Sequence, residues 1–171
     1  MIYYIYALIV FVIDQVTKRL VVVNMKEGDS IPVIGEFFQL TSHRNRGAAF
    51  GILQEQRWFF IVVTTVILIG LIWYLQKLRK NGDKKLLKVA LGLLLGGALG
   101  NFIDRLLFGE VVDFMHFTFR FSLFGWDVDY QFAIFNGADS AIVIGVALIF
   151  LDSILEWRKE RRGLTHEQGQ V

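Results

Sequence analysis

Cysteine is absent from these 171 residues. That excludes disulfides, thiol nucleophiles and Cys-ligated metals. Proline occurs once, and the three histidines, His43, His116 and His166, show no HExxH or comparable zinc spacing, so no metal site is expected. Charge is sparse too. Asp, Glu, Lys and Arg make up 20% of the chain, against 54% hydrophobic residues, 16 phenylalanines and a mean hydropathy of +0.49. A soluble domain of this size carries more charge and fewer aromatics, so the balance is that of a polytopic membrane protein. The N-terminus lacks the basic n-region and small-residue cleavage site of a signal peptide, and reads as a retained span. No repeat, low-complexity tract or second domain is evident. One membrane domain is expected over residues 1–163, followed by a polar, mobile tail at 164–171.

A bilayer core needs roughly 20 mostly apolar helical residues. Four stretches qualify, at about 2–23, 58–75, 86–107 and 135–157. The second carries no charge. The first is interrupted by Asp14, Lys18 and Arg19, the third by Asp104 and Arg105 near its end, and the fourth by Asp139 near its start. Orientation follows from Lys and Arg in short loops. Lys77, Arg79, Lys80, Lys84, Lys85 and Lys88 cluster against Asp83 alone, and Arg158, Lys159, Arg161 and Arg162 follow the last span. Both termini are therefore expected in the cytoplasm. The segment 108–134 holds Arg120 as its one Lys or Arg, beside Glu110, Asp113, Asp127 and Asp129, and is expected outside.

Between spans the periodicity changes. "FFQLTS" at 37–42 and "FTFRFSLF" at 117–124 alternate with period two, which marks strands, and "GWDVDY" at 125–130 reads as a turn. The fold expected is mainly α: four transmembrane helices with a small extracytoplasmic β-cradle, its strands within 30–50 and 111–130.

This orientation brings Asp14, Lys18, Asp104, Arg105 and Asp139 to a similar depth in the outer leaflet. Snorkelling accounts for Arg19, but short aspartate stems cannot reach far. Asp14 and Lys18 are four apart and can pair on one helix face. Asn101, Asp104 and Arg105 share a face in "GNFIDR", after Gly92, Gly96 and Gly100, a small-residue ladder that lets helices approach closely. For both charged sets a structural, ion-pairing role stands beside a functional one. Asn45, in "NRGAAFG", stands among small residues that suit a turn or a close ligand. Asn136 and Asp139 are three apart at the head of the fourth span, and Asp113 in "VVDF" lies just beyond the third. Asp139 alone suits a helix dipole. Two carboxylates close together in a low-dielectric site do more: one pKa rises, they share a proton, and each takes a different role. That is aspartic-protease chemistry, which needs no thiol, Ser–His pair or metal.

The blocks "DQVTK", "NRGAAFG", "GNFIDR", "VVDF" and "FNGAD" together resemble the bacterial lipoprotein signal peptidase (signal peptidase II) family, over about residues 5–157 and in the family's order. The resemblance implies an aspartyl endopeptidase of the plasma membrane. It cuts signal peptides from diacylglyceryl-modified prolipoproteins just before the lipidated cysteine, with its site toward the extracytoplasmic side. It implies Asp113 and Asp139 as the catalytic pair. Asp14, Lys18, Asn45, Asn101, Asp104, Arg105 and Asn136 are the residues it implies in binding or bracing roles. It implies membrane lipids as surroundings and the cyclic peptide globomycin as an inhibitor. No cofactor and no nucleic acid are expected, and the chain is expected to be a monomer. Gly137 departs from the family, where a branched apolar residue is usual, and is expected to loosen the first turn of the fourth span. Two other classes remain in view. A proton relay or transporter also uses intramembrane charges, but these lie at one depth and no inverted repeat accompanies them. A structural subunit would tolerate Asp113→Asn and Asp139→Asn silently.

Overall fold

The computed structural model describes residues 2–47, 53–79, 84–123 and 125–168, with side chains through Arg161 except that of Leu123. Residues 48–51 of the "NRGAAFG" block, Lys80 and Asp83 lie outside the described residues. The chain order is α1 (Ile2–Asn24), β1 (Ser30–Ile34), β2 (Phe38–Asn45), α2 (Arg57–Leu78), α3 (Lys85–Phe108), β3 (Val111–Leu123), β4 (Trp126–Gln131) and α4 (Gly137–Gln168).

Among the described residues, three helices are long and apolar enough to cross a membrane: α2, α3 and α4 over Gly137–Arg161. They differ in what they face. In the apolar window of α3, 56% of residues are buried inside the protein, against 11% in α2 and 17% in α4. Helix α3 is thus the axis, and α1, α2 and α4 pack around it. Apolar residues that the protein itself does not cover are what a helix presents to lipid. Helix α1 has the same outward surface, with Leu8, Ile13, Leu20 and Val23 exposed, but it buries Asp14 and Lys18.

Glycine sets how close the helices come. A Cβ on Gly96 would stand 2.5 Å from the Ala7 carbonyl oxygen of α1, and one on Gly97 would stand 2.5 Å from the Ala138 oxygen of α4. Both contacts are with backbone, so the small-residue ladder is a packing device on two sides of α3. At one end of the bundle Ala7, Leu68, Leu75, Leu78, Leu87, Leu91 and Leu95 form a core. Lys88, read from sequence as part of a basic loop, is buried in α3 with its ammonium 5.6 Å from the Tyr3 ring centre.

At the other end sits a four-stranded antiparallel sheet in the order β1-β2-β3-β4. Val21 of α1 and Met25, just past its end, pack on Val112 and Phe114 of β3, which seats the sheet on the bundle. The turn from α3 into β3 is made by Gly109 at φ +81°, whose N–H donates to the Arg105 carbonyl at 3.1 Å. That left-handed cap suits glycine. Two expectations change. "GWDVDY" is not a turn: Trp126–Gln131 pairs with β3 as a strand, and the reversal is at Gly125, at φ +83°. The cross-strand partners Arg120 and Asp129 are ion-paired, which supports the strand. The segment after Gly163, expected as a mobile tail, is helical as far as Gln168.

Candidate active site

The site forms where the start of β3, the end of α3 and the head of α4 meet. The link 132–136 is clamped to β3 by backbone bonds: Phe114 N–H and Met115 N–H donate to the Phe135 carbonyl at 3.0 and 2.8 Å, and Phe135 N–H donates to Met115 at 3.2 Å. This clamp places Asp113 beside Asn136, which is fully buried.

Asn136 closes the first turn of α4. Its side-chain oxygen accepts from Asp139 N–H at 2.9 Å, and its own N–H donates to an Asp139 carboxylate oxygen at 3.2 Å. That reciprocal pair is a capping box. The bonds close the first turn across Gly137. Asn136 Nδ2 donates to Asp113 Oδ1 at 2.7 Å and to Asn101 Oδ1 at 3.1 Å. Asn101 Nδ2 in turn donates to Asp139 Oδ1 at 2.7 Å. One asparagine thus joins the two aspartates, and a second amide steadies the pair. Asn45, at the end of β2, donates from Nδ2 to Asp113 Oδ2 at 2.9 Å, while its Oδ1 accepts from Gly47 N–H at 2.9 Å. Asn45 thus braces the turn at Gly47 and touches Asp113 with the same amide.

Behind this layer lies an ionic one. Lys18 Nζ is 2.8 Å from Asp14 Oδ2, 2.8 Å from Asp104 Oδ2 and 2.8 Å from Asn101 Oδ1. The contact to Asp104 is a charge contact rather than an aligned hydrogen bond. Asp14 Oδ1 accepts the backbone N–H of Ala138 at 2.9 Å, so a carboxylate from α1 caps α4. Gly100 gives it room, since a Cβ there would collide with the Asp14 carboxylate. Arg105 donates to the Gly47 carbonyl at 2.9 Å and its guanidinium lies 4.7 Å from the Phe60 ring centre.

All nine residues named from sequence are thus drawn into one connected region. Asp113, Asp139, Asn45, Asn101 and Arg105 line a cavity of about 550 Å³, walled by Phe132, Phe135 and the Ile142–Ile144 stretch of α4. Asp14, Lys18, Asp104 and Asn136 stand behind the wall. No cluster of metal-ligating side chains occurs among the described residues. The region holds four carboxylates (Asp14, Asp104, Asp113, Asp139) and two cations (Lys18, Arg105). Such an excess of negative charge favours a bound proton. Asp113 is the group that takes it. Burial, and next the Asp139 charge, push its carboxyl from the ordinary 3.8 up to about 7, against the opposing bonds from Asn45 and Asn136. The cavity presents two amides, Asn45 and Asn101, beside the two carboxyls, an arrangement that can meet an extended backbone.

Sequence reasoning missed two contributors. Gln15 Nε2 donates to Asp104 Oδ1 at 2.9 Å and reaches Asp14 Oδ2 at 3.3 Å. Arg57 donates to the carbonyls of Arg105 and Leu106 at 2.9 and 2.7 Å, closing the end of α3. An uncharged residue inside "DQVTK" and an arginine ahead of an apolar run carry no signal of these partners.

A bundle of apolar, membrane-length helices with buried carboxylates gathered at one end is the build of a membrane protein with a polar site. The signal peptidase (SPase) II family model matches residues 6–155. The lipoprotein signal peptidase of Bacillus pumilus is 52% identical over 96% of this chain and 100% of the relative, and that of Bacillus subtilis 49% identical over 95% and 99%. Two solved structures, described as bacterial membrane enzymes determined by the in meso method, superpose with TM-scores of 0.74 and 0.70 at 45% and 46% identity. They cover 90% and 87% of this chain, and the matched parts are 87% and 90% of theirs. The chain belongs to the signal peptidase II family, a family of peptidases.

Proposed function

We propose that the chain is an aspartyl endopeptidase that cuts diacylglyceryl-modified prolipoproteins just before the lipidated cysteine, using Asp113 and Asp139. The observation that carries this reading is the pairing of two carboxyls across Asn136 on one cavity wall, with Asp113 raised to about 7. Asp139 is the base. It accepts from Asn101 and the Asn136 N–H, and takes a proton from the attacking water. Asp113 is the acid and gives its proton to the scissile carbonyl oxygen as the C–O bond of the tetrahedral intermediate forms. Collapse then passes the Asp139 proton to the departing amine and returns the carbonyl oxygen's proton to Asp113. Asn45, Asn101 and Arg105 hold the unwound signal-peptide strand, whose backbone groups find little water at this depth.

In this reading α1 is a fourth span, because Asp14 and Lys18 face inward onto α3 and α4 while Leu8, Ile13 and Leu20 face lipid and Arg19 is exposed toward the outer end. The basic ends, at Lys77–Lys88 and after Trp157, then lie in the cytoplasm, and the sheet and site lie outside. The sheet is a cradle over the cavity. Its stacked rings Phe38, Phe117 and Phe135, with centroids 4.7 and 5.8 Å apart in turn, give the bound acyl chains and peptide an apolar cover. Globomycin binds the same cavity, and one chain suffices for activity.

The test is a gel-shift cleavage assay with purified protein and a diacylglyceryl-modified prolipoprotein. Asp113→Asn and Asp139→Asn should each stay folded and lose cleavage by about a hundredfold or more, the usual cost of removing an acid–base group. Normal cleavage by either variant would make that aspartate a structural charge.

A further inference from the structure

We propose that the groove between α1 and α2 is a binding site for one anionic phospholipid, with its headgroup on Lys77 and Arg79 and its acyl chains along the apolar walls. The groove holds about 1170 Å³ and shares no lining residue with the candidate active site. It exists because α1 and α2 both pack on α3, whose Leu95 and Leu99 form the floor. Leu8 and Phe11 of α1 face Leu68 and Ile72 of α2 across it.

Its polarity is one-sided. From Leu68 to Arg79 the wall rises by about 16 Å of helix, close to half of a hydrocarbon core of about 30 Å. The groove is therefore about one leaflet deep. Its deep end is apolar, and its mouth carries Gln76, Lys77 and Arg79 with no Asp or Glu in the lining. The Lys77 ammonium lies 5.4 Å from the Trp73 ring centre, and among the described residues neither Lys77 nor Arg79 has a carboxylate partner. Two cations without carboxylates at the rim of an apolar slot match a phosphate between two acyl chains. A signal peptide fits the slot less well, because its own basic n-region would meet these two cations. The proposal takes from the functional reading only that α1 lies in the bilayer.

The test uses the full chain in mild detergent, offered equal amounts of dioleoylphosphatidylglycerol and dioleoylphosphatidylcholine, with bound lipid counted by native mass spectrometry. Wild type should retain phosphatidylglycerol preferentially. The double variant Lys77→Gln/Arg79→Gln should retain about 25-fold less of it, taking about fivefold for each basic residue at a lipid surface, with phosphatidylcholine unchanged. Ile72→Trp, which fills an outward-facing wall, should reduce both lipids. Equal retention of the two lipids by wild type overturns the proposal. So does undiminished phosphatidylglycerol in the double variant, or displacement of the lipid by a signal-peptide fragment. Prolipoprotein cleavage measured on the same samples separates the two readings. Cleavage without lipid selection sinks only the lipid site, and lipid selection without cleavage sinks only the peptidase assignment.

Discussion

Lys18 shows what a single residue does here. Its ammonium meets oxygens of Asp14, Asp104 and Asn101. Because the Asn101 oxygen is taken by Lys18 and Asn136, its Nδ2 faces Asp139 and can only donate. Asp139 accepts from Asn101 and the Asn136 N–H, while burial and the Asp139 charge push the Asp113 carboxyl up to about 7. Unequal surroundings are how two chemically identical groups acquire different roles. The consequence for pH has a definite sign. Asp113 in the folded protein holds its proton up to about pH 7, whereas an unfolded aspartate releases it near 3.8. Stability therefore falls as pH rises between those values and levels off above about 7. In thermal unfolding, the drop in Tm from pH 5 to pH 8 should be smaller in Asp113→Asn than in wild type. An equal drop would mean that Asp113 titrates normally. The cleavage rate kcat/KM should decline about tenfold per pH unit above about 7 as the acid form is lost.

At the scale of elements, the site depends on how closely α1 and α4 approach α3. Gly96 and Gly97 face opposite neighbours at backbone contact, and Asp14 reaches from α1 to the N-terminus of α4. Gly70 on α2 is different, with open space where a Cβ would stand. Gly97→Leu should push α4 away, lower stability by about 1–3 kcal/mol as overpacking does, and reduce cleavage by moving Asp139. Gly70→Ala should be neutral or raise stability by up to about 1 kcal/mol through helix propensity. Chemical or thermal unfolding of both variants checks the contrast, and a similar loss at the two positions would contradict it. The two sites answer differently because helix contact, not glycine content, decides the cost.

At the scale of the molecule, topology is open to direct measurement. The chain has no cysteine, so single-cysteine variants have no background. Asp127→Cys on the sheet should react with a membrane-impermeant maleimide in intact cells. Arg158→Cys, near the other end of α4, should react only after the membrane is opened. The reverse pattern would invert the proposed orientation and place the site in the cytoplasm.

Much of the fold was legible without coordinates, because its elements follow local rules. Long apolar runs become helices, alternating phenylalanines become strands, and a glycine ladder marks close packing; all three were read correctly. The residues of the candidate site were legible as a set, since charges inside apolar runs stand out and their blocks match a family. Their arrangement was not. Asp14 capping Ala138 spans 124 positions, Gln15 reaching Asp104 spans 89, and Arg57 closing α3 spans 48. No periodicity records a hydrogen bond between distant elements. "GWDVDY" was misread for the same reason: its polar residues suit a turn in isolation, and only the β3 partner makes them a strand. Sequence alone determined which segments are long and apolar enough to cross a membrane, because transfer free energy is a property of composition and run length. The tertiary structure decided which carboxyl keeps a proton, because that depends on the donors and charges within a few ångströms.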